Sequence, residues 1–208
     1  MRYLLPYARE RLLVPRVLVA AVLVSGGGAM LGAAHSFLSD LLLSLALVVQ
    51  FRIWDDVADR HADAGRHPGR ALSRIHSAAP FIVLIVAIGA AILASVTTRS
   101  GSIASTTLLV TSWIVFAAWY ATRGHRTAWR DHLLLLKYPA FAAIVCGSGR
   151  AITSPAGLLT LTVLYLAFCL YEAWHDVEAP RRVHRMAVEA PLLGVAAAAL
   201  AFIVGGRS

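Results

Sequence analysis

Four aspartates, Asp55, Asp56, Asp59 and Asp63, follow directly on an apolar run in the stretch FRIWDDVADRHADAGRHPGRAL, residues 51–72. Asp56, Asp59 and Asp63 are spaced three and then four residues apart. On a helix that continues past Trp54, this spacing brings all three to one face. Carboxylates stacked in this way repel, so the pattern calls for a cation or for basic neighbours, and Arg52, Arg60, His61 and Arg66 stand close by. A second acidic stretch, FCLYEAWHDVEAPRR, places Glu172 and Asp176 four apart, again on one helical face, with Glu178 after them. Oxygen-only donors in pairs suit a hard cation. Mg2+ keeps several waters and binds through a few carboxylates together with substrate phosphates, so two such faces across a cavity would clamp a diphosphate. Zinc is the weaker expectation there: His61, His67 and His175 lie near the acids, but neither a Cys pair nor a His-x-x-x-His spacing accompanies them.

The elements that must position these groups are membrane helices. The 208 residues are 59% hydrophobic and 14% charged, with mean hydropathy +0.70. A soluble domain is nearer about 45–50% apolar and about 25% charged. A helix needs about 20 mostly apolar residues to cross the hydrocarbon core. Seven segments meet that length, at about 17–34, 38–58, 78–97, 103–122, 131–149, 155–175 and 186–205. Gly101, Gly124, Pro155, Pro180 and Pro191 punctuate them near their ends. The expected fold is an all-α, polytopic membrane bundle of about seven transmembrane helices, forming a single domain over residues 1–208. No cleavable signal peptide is evident, because the first apolar run is long and lacks a small-residue cleavage site.

Fourteen of the nineteen basic residues flank one set of alternate connections, at 2–16, 60–74, 123–130 and 181–185, whereas only Arg99, Arg150 and Arg207 flank the other. Lys and Arg are retained on the cytoplasmic side of short loops. The amino terminus is therefore expected in the cytoplasm and the carboxy terminus outside, with both acidic clusters facing the cytoplasm. The same asymmetry accounts for the net charge of +8 without nucleic acid, since no aromatic stacking platform is interleaved with the basic clusters. Cys146 and Cys169 both fall in apolar segments, which points to reduced packing residues and away from a disulfide.

The acidic stretches resemble those of the UbiA superfamily of membrane prenyltransferases. Asp55-Asp56-x-x-Asp59-x-x-x-Asp63 is similar to that family's NDxxDxxxD motif, with Asp55 in place of Asn. Arg66-His67-Pro68-x-Arg70-Ala71-Leu72 resembles its basic continuation, and Glu172-x-x-x-Asp176-x-Glu178 its second acidic motif. Members of the family have nine transmembrane helices around a cavity, and this sequence stops after seven. The resemblance implies an Mg2+-dependent enzyme that ionises a prenyl diphosphate. It also implies a metal set of Asp55, Asp56, Asp59, Asp63, Glu172 and Asp176, and diphosphate contacts from Arg52, Arg66, Arg70 and Lys137. Two outcomes for the allylic cation stay open: capture by a hydrophobic acceptor, as in the transferases, or cyclisation, as in related terpene cyclases. A scaffold or transporter that retains a cation site is the reading from a different class. Membrane lipid is the expected surrounding partner, and an oligomer is compatible with the pattern.

Lys137 is the only lysine and lies in the apolar stretch LLLLKYPAF. An unpaired ammonium there costs several kcal/mol, so it is expected to face an anion, either the diphosphate or an acid such as Asp176 or Asp56, unless it snorkels to the interface. Arg52, one turn before Asp56, has a simpler alternative in pairing with that residue. Trp54, Tyr138, Tyr165, Phe168, Tyr171 and Trp174 lie at the depth of the acids, where aromatic faces would shield an allylic cation.

Overall fold

The computed structural model describes residues 3–33, 35–69, 71–75, 77–100, 103–122, 128–147, 149–175 and 182–205, with the backbone only at 62, 66, 100, 128–131, 150, 151 and 182. A short helix α1 (Leu4–Tyr7) runs through a π-helical turn (Ala8–Leu12) to α2 (Pro15–Met30), whose first residue is a proline pre-set for a helix start. Then come α3 (Phe37–Arg66), a 3-10 turn (Leu72–Arg74), α4 (Ala79–Ser100) and α5 (Ile103–Ala121). The chain continues through α6 (Ala128–Leu135), α7 (Lys137–Cys146), α8 (Gly149–Thr153), α9 (Pro155–His175) and α10 (Arg182–Gly205). The described residues contain no strand, so the all-α class holds.

Among the described residues, five helical stretches are long and apolar enough to cross a membrane: Phe37–His61, Ala79–Arg99, Ile103–Ala121, Pro155–His175 and Val183–Gly205. These mark the chain as a membrane protein. A sixth results if Leu4–Leu12 and Pro15–Met30, bent by 62° at their junction, form one broken span. Each of the seven expected segments is helical, but the count of seven full spans is not reached. The fifth, expected as one helix over 131–149, is interrupted at Leu136. The cause lies in Pro139, which has no N–H to give the Leu135 carbonyl and whose ring would collide with it. As the third residue of α7, Pro139 falls in a first turn, where that missing donor is tolerated.

The short helix α7 occupies the centre. Lys137, Pro139 and every residue from Phe141 to Cys146 are buried, and α2, α3, α5 and α9 pack around it. Its approach to α2 depends on glycine: a Cβ on Gly28 would stand 2.9 Å from Val145 Cγ1, and one on Gly27 would stand 3.3 Å from Ala142 Cβ. Small residues that let helix backbones approach are the usual device where lipid removes the hydrophobic drive between helices. Gln50 adds a polar tie, accepting from Trp113 Nε1 of α5 and donating to the Ile85 carbonyl of α4, both at 3.2 Å.

Contacts between distant residues show that successive long helices run in alternating directions. Arg99, at the end of α4, pairs with the buried Asp40 at the start of α3 and also donates to the Ser39 carbonyl. Cys146, closing α7, lies 3.3 Å from the Leu31 carbonyl just beyond α2. The end of α3, the start of α7 and the segment before α2 therefore meet at the other extremity, which carries the aspartates.

Candidate functional site: an ion-paired acidic end

Helix α3 continues without a break to Arg66, so Asp55, Asp56, Asp59 and Asp63 all stand on regular helix. Neighbouring residues on a helix differ by about 100° in direction, and this separates Asp55 from Asp56. Asp55 turns inward, where its Oδ2 accepts from Lys137 Nζ. The Tyr120 hydroxyl lies alongside it. The Lys137 side chain is 7% exposed, which excludes snorkelling, and its partner among the described residues is Asp55, not Asp56. Lys137 gets there because α7 begins at this residue, inside the bundle, after the break at Leu136.

Asp56 faces the amino-terminal segment instead. Its Oδ2 accepts from the Tyr7 hydroxyl at 2.9 Å and from Arg11 Nε at 3.0 Å, and Arg11 Nη2 reaches Oδ1. Arg52 Nε stands 3.5 Å away, the one-turn pairing anticipated from spacing. A phenol is neutral near pH 7 and can only strengthen this site as a donor. Tyr7 and Arg11 were not legible from the motif, since they lie 49 and 45 residues away in sequence. The one available signal was that a buried carboxylate needs more than one donor.

Asp59 and Asp63 are half-buried on the α3 face shared with Asp56. Asp56 and Asp63 line a small open crevice together with Tyr7, Glu10, Arg11 and Leu72. Glu10 Oε2 also accepts from the Ala71 N–H at 3.0 Å, fastening the connection after α3 to the amino-terminal segment. Glu172, in the last turn and a half of α9, lies close enough to Tyr138 for its charge to act there, beside the Asp55–Lys137 pair. Asp176 and Arg70 lie outside the described residues, as does the side chain of Arg66.

Three of the expected pocket aromatics belong to one cluster above the pair. Tyr138 stacks on Phe168 with centroids 3.7 Å apart, and Lys137 Nζ lies 5.6 Å from the Tyr138 centroid. Trp54 packs on Phe51 and Tyr120, and Phe51 in turn meets Phe116 and Phe141. Tyr171 stands apart, against His175, and lines a second crevice with Phe168 and Arg16 between α2 and α9. Trp174 is 62% exposed and faces away from the cluster, the position of an interfacial belt residue.

The donors around the crevice are carboxylate oxygens, the type a hard cation takes. Among the described residues Asp56, Asp59 and Asp63 do not draw together closely enough to form a metal-binding group as they stand, and Asp56 is held by Arg11. Asp55 does not line the crevice. Fold and site together define an α-helical membrane protein with an acidic end whose two most buried aspartates, Asp55 and Asp56, are met by the chain's own cations. Comparison with protein families, with curated proteins and with solved structures finds no match to this chain.

Proposed function

We propose that the acidic end binds a prenyl diphosphate together with Mg2+ and ionises it, in a bundle of the UbiA kind with seven helical passes and both acidic motifs in the cytoplasm. The observation that carries this reading is the Asp55–Lys137 pair, which sets the only lysine of the chain beside the Tyr138–Phe168 stack. That is where a diphosphate head and an isoprenoid tail would part. Lys137, Arg52 and Arg11, now on carboxylates, would exchange them for diphosphate oxygens. Asp56, Asp59 and Asp63, with Glu172 and Asp176 from the second motif, would hold the metal. Bound Mg2+ supplies neutralisation of charge on the leaving diphosphate. Tyr138, Phe168 and Trp54 would present ring faces to the allylic cation. Transfer to a hydrophobic acceptor and cyclisation within the chain both fit this arrangement.

One observation favours a non-catalytic scaffold or transporter as the second reading: Asp56 has its charge met by Tyr7, Arg11 and Arg52 without any ligand. Binding of a non-ionisable prenyl thiodiphosphate, followed by calorimetry, separates the two. The enzyme reading expects binding that needs Mg2+ and is lost in Asp59→Asn and Asp63→Asn. Absence of Mg2+-dependent binding across chain lengths would leave the scaffold.

A further inference from the structure

On the side of α9 away from Tyr138, three side chains from three helices converge: His132 of α6, Cys169 of α9 and Glu189 of α10. Phe168 and Cys169 are adjacent in sequence, so one faces the aromatic cluster and the other this second group. Cys169 Sγ lies 3.4 Å from His132 Nδ1, and His132 Nε2 lies 3.3 Å from Glu189 Oε1. Cys169 is wholly buried and Glu189 is 5% exposed. One donor atom from each residue can be chosen so that all three lie within 4.8 Å of one another. In a tetrahedral zinc site, bonds of about 2.0–2.3 Å set donor separations of about 3.3–3.6 Å. Cys169 and Glu189 meet opposite nitrogens of the His132 ring, so the imidazole must turn to bring one nitrogen to both.

The surroundings carry a second, independent sign of a missing ligand. Arg185 is 4% exposed and donates through Nε to Glu189 Oε1 at 3.2 Å, yet its Nη1 and Nη2 have no partner among the described residues. Glu189 Oε2 is likewise buried and without one. Buried polar atoms are rarely left this way, and three in one group point to something that fills the space. Charge decides what. Arg185 and Glu189 cancel, and a divalent ion with a Cys169 thiolate leaves one positive charge in a low-dielectric setting. An anionic fourth ligand, hydroxide or a substrate oxygen, restores neutrality, and the free Arg185 N–H groups are available to donate to it.

We propose that His132, Cys169 and Glu189 bind a divalent ion of the zinc class, with the fourth position open toward Arg185. Binding converts the Cys169 thiol to a metal-bound thiolate and releases its proton to solvent. The site differs from the acidic end in its donor set, N, S and O where that end offers oxygen only.

Cobalt(II) titration of the chelator-stripped protein in detergent tests this, because a thiolate ligand gives an intense near-ultraviolet charge-transfer band that carboxylates cannot give. One Co2+ per chain with that band, displaced by Zn2+, is expected. The band should persist in Cys146→Ser and vanish in Cys169→Ser, with at least about tenfold weaker binding there, as loss of a ligand implies. Should Cys169→Ser fail to fold, Zn2+ must still slow alkylation of Cys169 in the Cys146→Ser protein. A wild-type titration without the thiolate band, a band that survives Cys169→Ser, or alkylation unaffected by Zn2+ would overturn the proposal and leave a hydrogen-bonded polar cluster.

Discussion

Lys137 of α7 and Asp55 of α3 form a largely buried ion pair at the acidic end of the bundle, 82 residues apart in sequence. Each is the reason the other is tolerated there. Lys137→Met therefore strands a carboxylate and is expected to destabilise the empty protein by about 3–5 kcal/mol, the usual cost of breaking a buried pair from one side. Asp55→Asn combined with Lys137→Met should recover most of that loss. Reversible unfolding in detergent measures both, and a single variant as stable as wild type would show that the pair is not closed in solution.

Arg11 and any metal compete for Asp56. Arg11→Met is expected to tighten binding of the paramagnetic stand-in Mn2+, read by electron spin resonance, while Asp56→Asn weakens it. Tyr7→Phe removes one hydrogen bond to a charged group and should cost about 1.5–3 kcal/mol of stability. Mn2+ affinity unaltered by either Arg11→Met or Asp56→Asn would take Asp56 out of the metal set.

The helical face bearing Asp56, Asp59 and Asp63 was legible from spacing, and so was the need of Lys137 for an anion. Asp55 enters the metal set with Asp56 only through the motif the stretch resembles, whereas helical geometry sends the two to different partners. Arg11 and Tyr7 were hidden because the segment before α2 reads as a basic flank, and only the bend of 62° folds it back onto α3. The break at Leu136 was written in Pro139, but the length of the apolar run around it suggested one continuous span. His132, Cys169 and Glu189 come from three elements, and no local pattern joins them.

Glycine placement between α2 and α7 gives a stability test with an internal control. Gly28→Ala would put a methyl 2.9 Å from Val145 and should cost about 1–3 kcal/mol through overpacking. Gly26→Ala meets nothing within 4 Å and should be neutral or stabilising by about 0.5–1 kcal/mol. Equal melting temperatures for the two variants would contradict the close packing of these helices.

Orientation follows from the basic flanks. A reporter inserted after Gly69 should be cytoplasmic and one fused after Ser208 external. Reporters on the same side would require an even number of crossings between those points, and the motifs would then need to be assigned to faces afresh.

The central claim is that the acidic end ionises a prenyl diphosphate, and release of inorganic diphosphate measures that most directly. Purified protein with a panel of prenyl diphosphates of different length should release diphosphate from at least one of them. Release should require Mg2+ and fall by at least about a hundredfold in Asp59→Asn, comparable to the loss of a metal-binding contact in other sites. No release from any member of the panel, or release that persists in Asp56→Asn, Asp59→Asn and Asp63→Asn alike, would contradict the account.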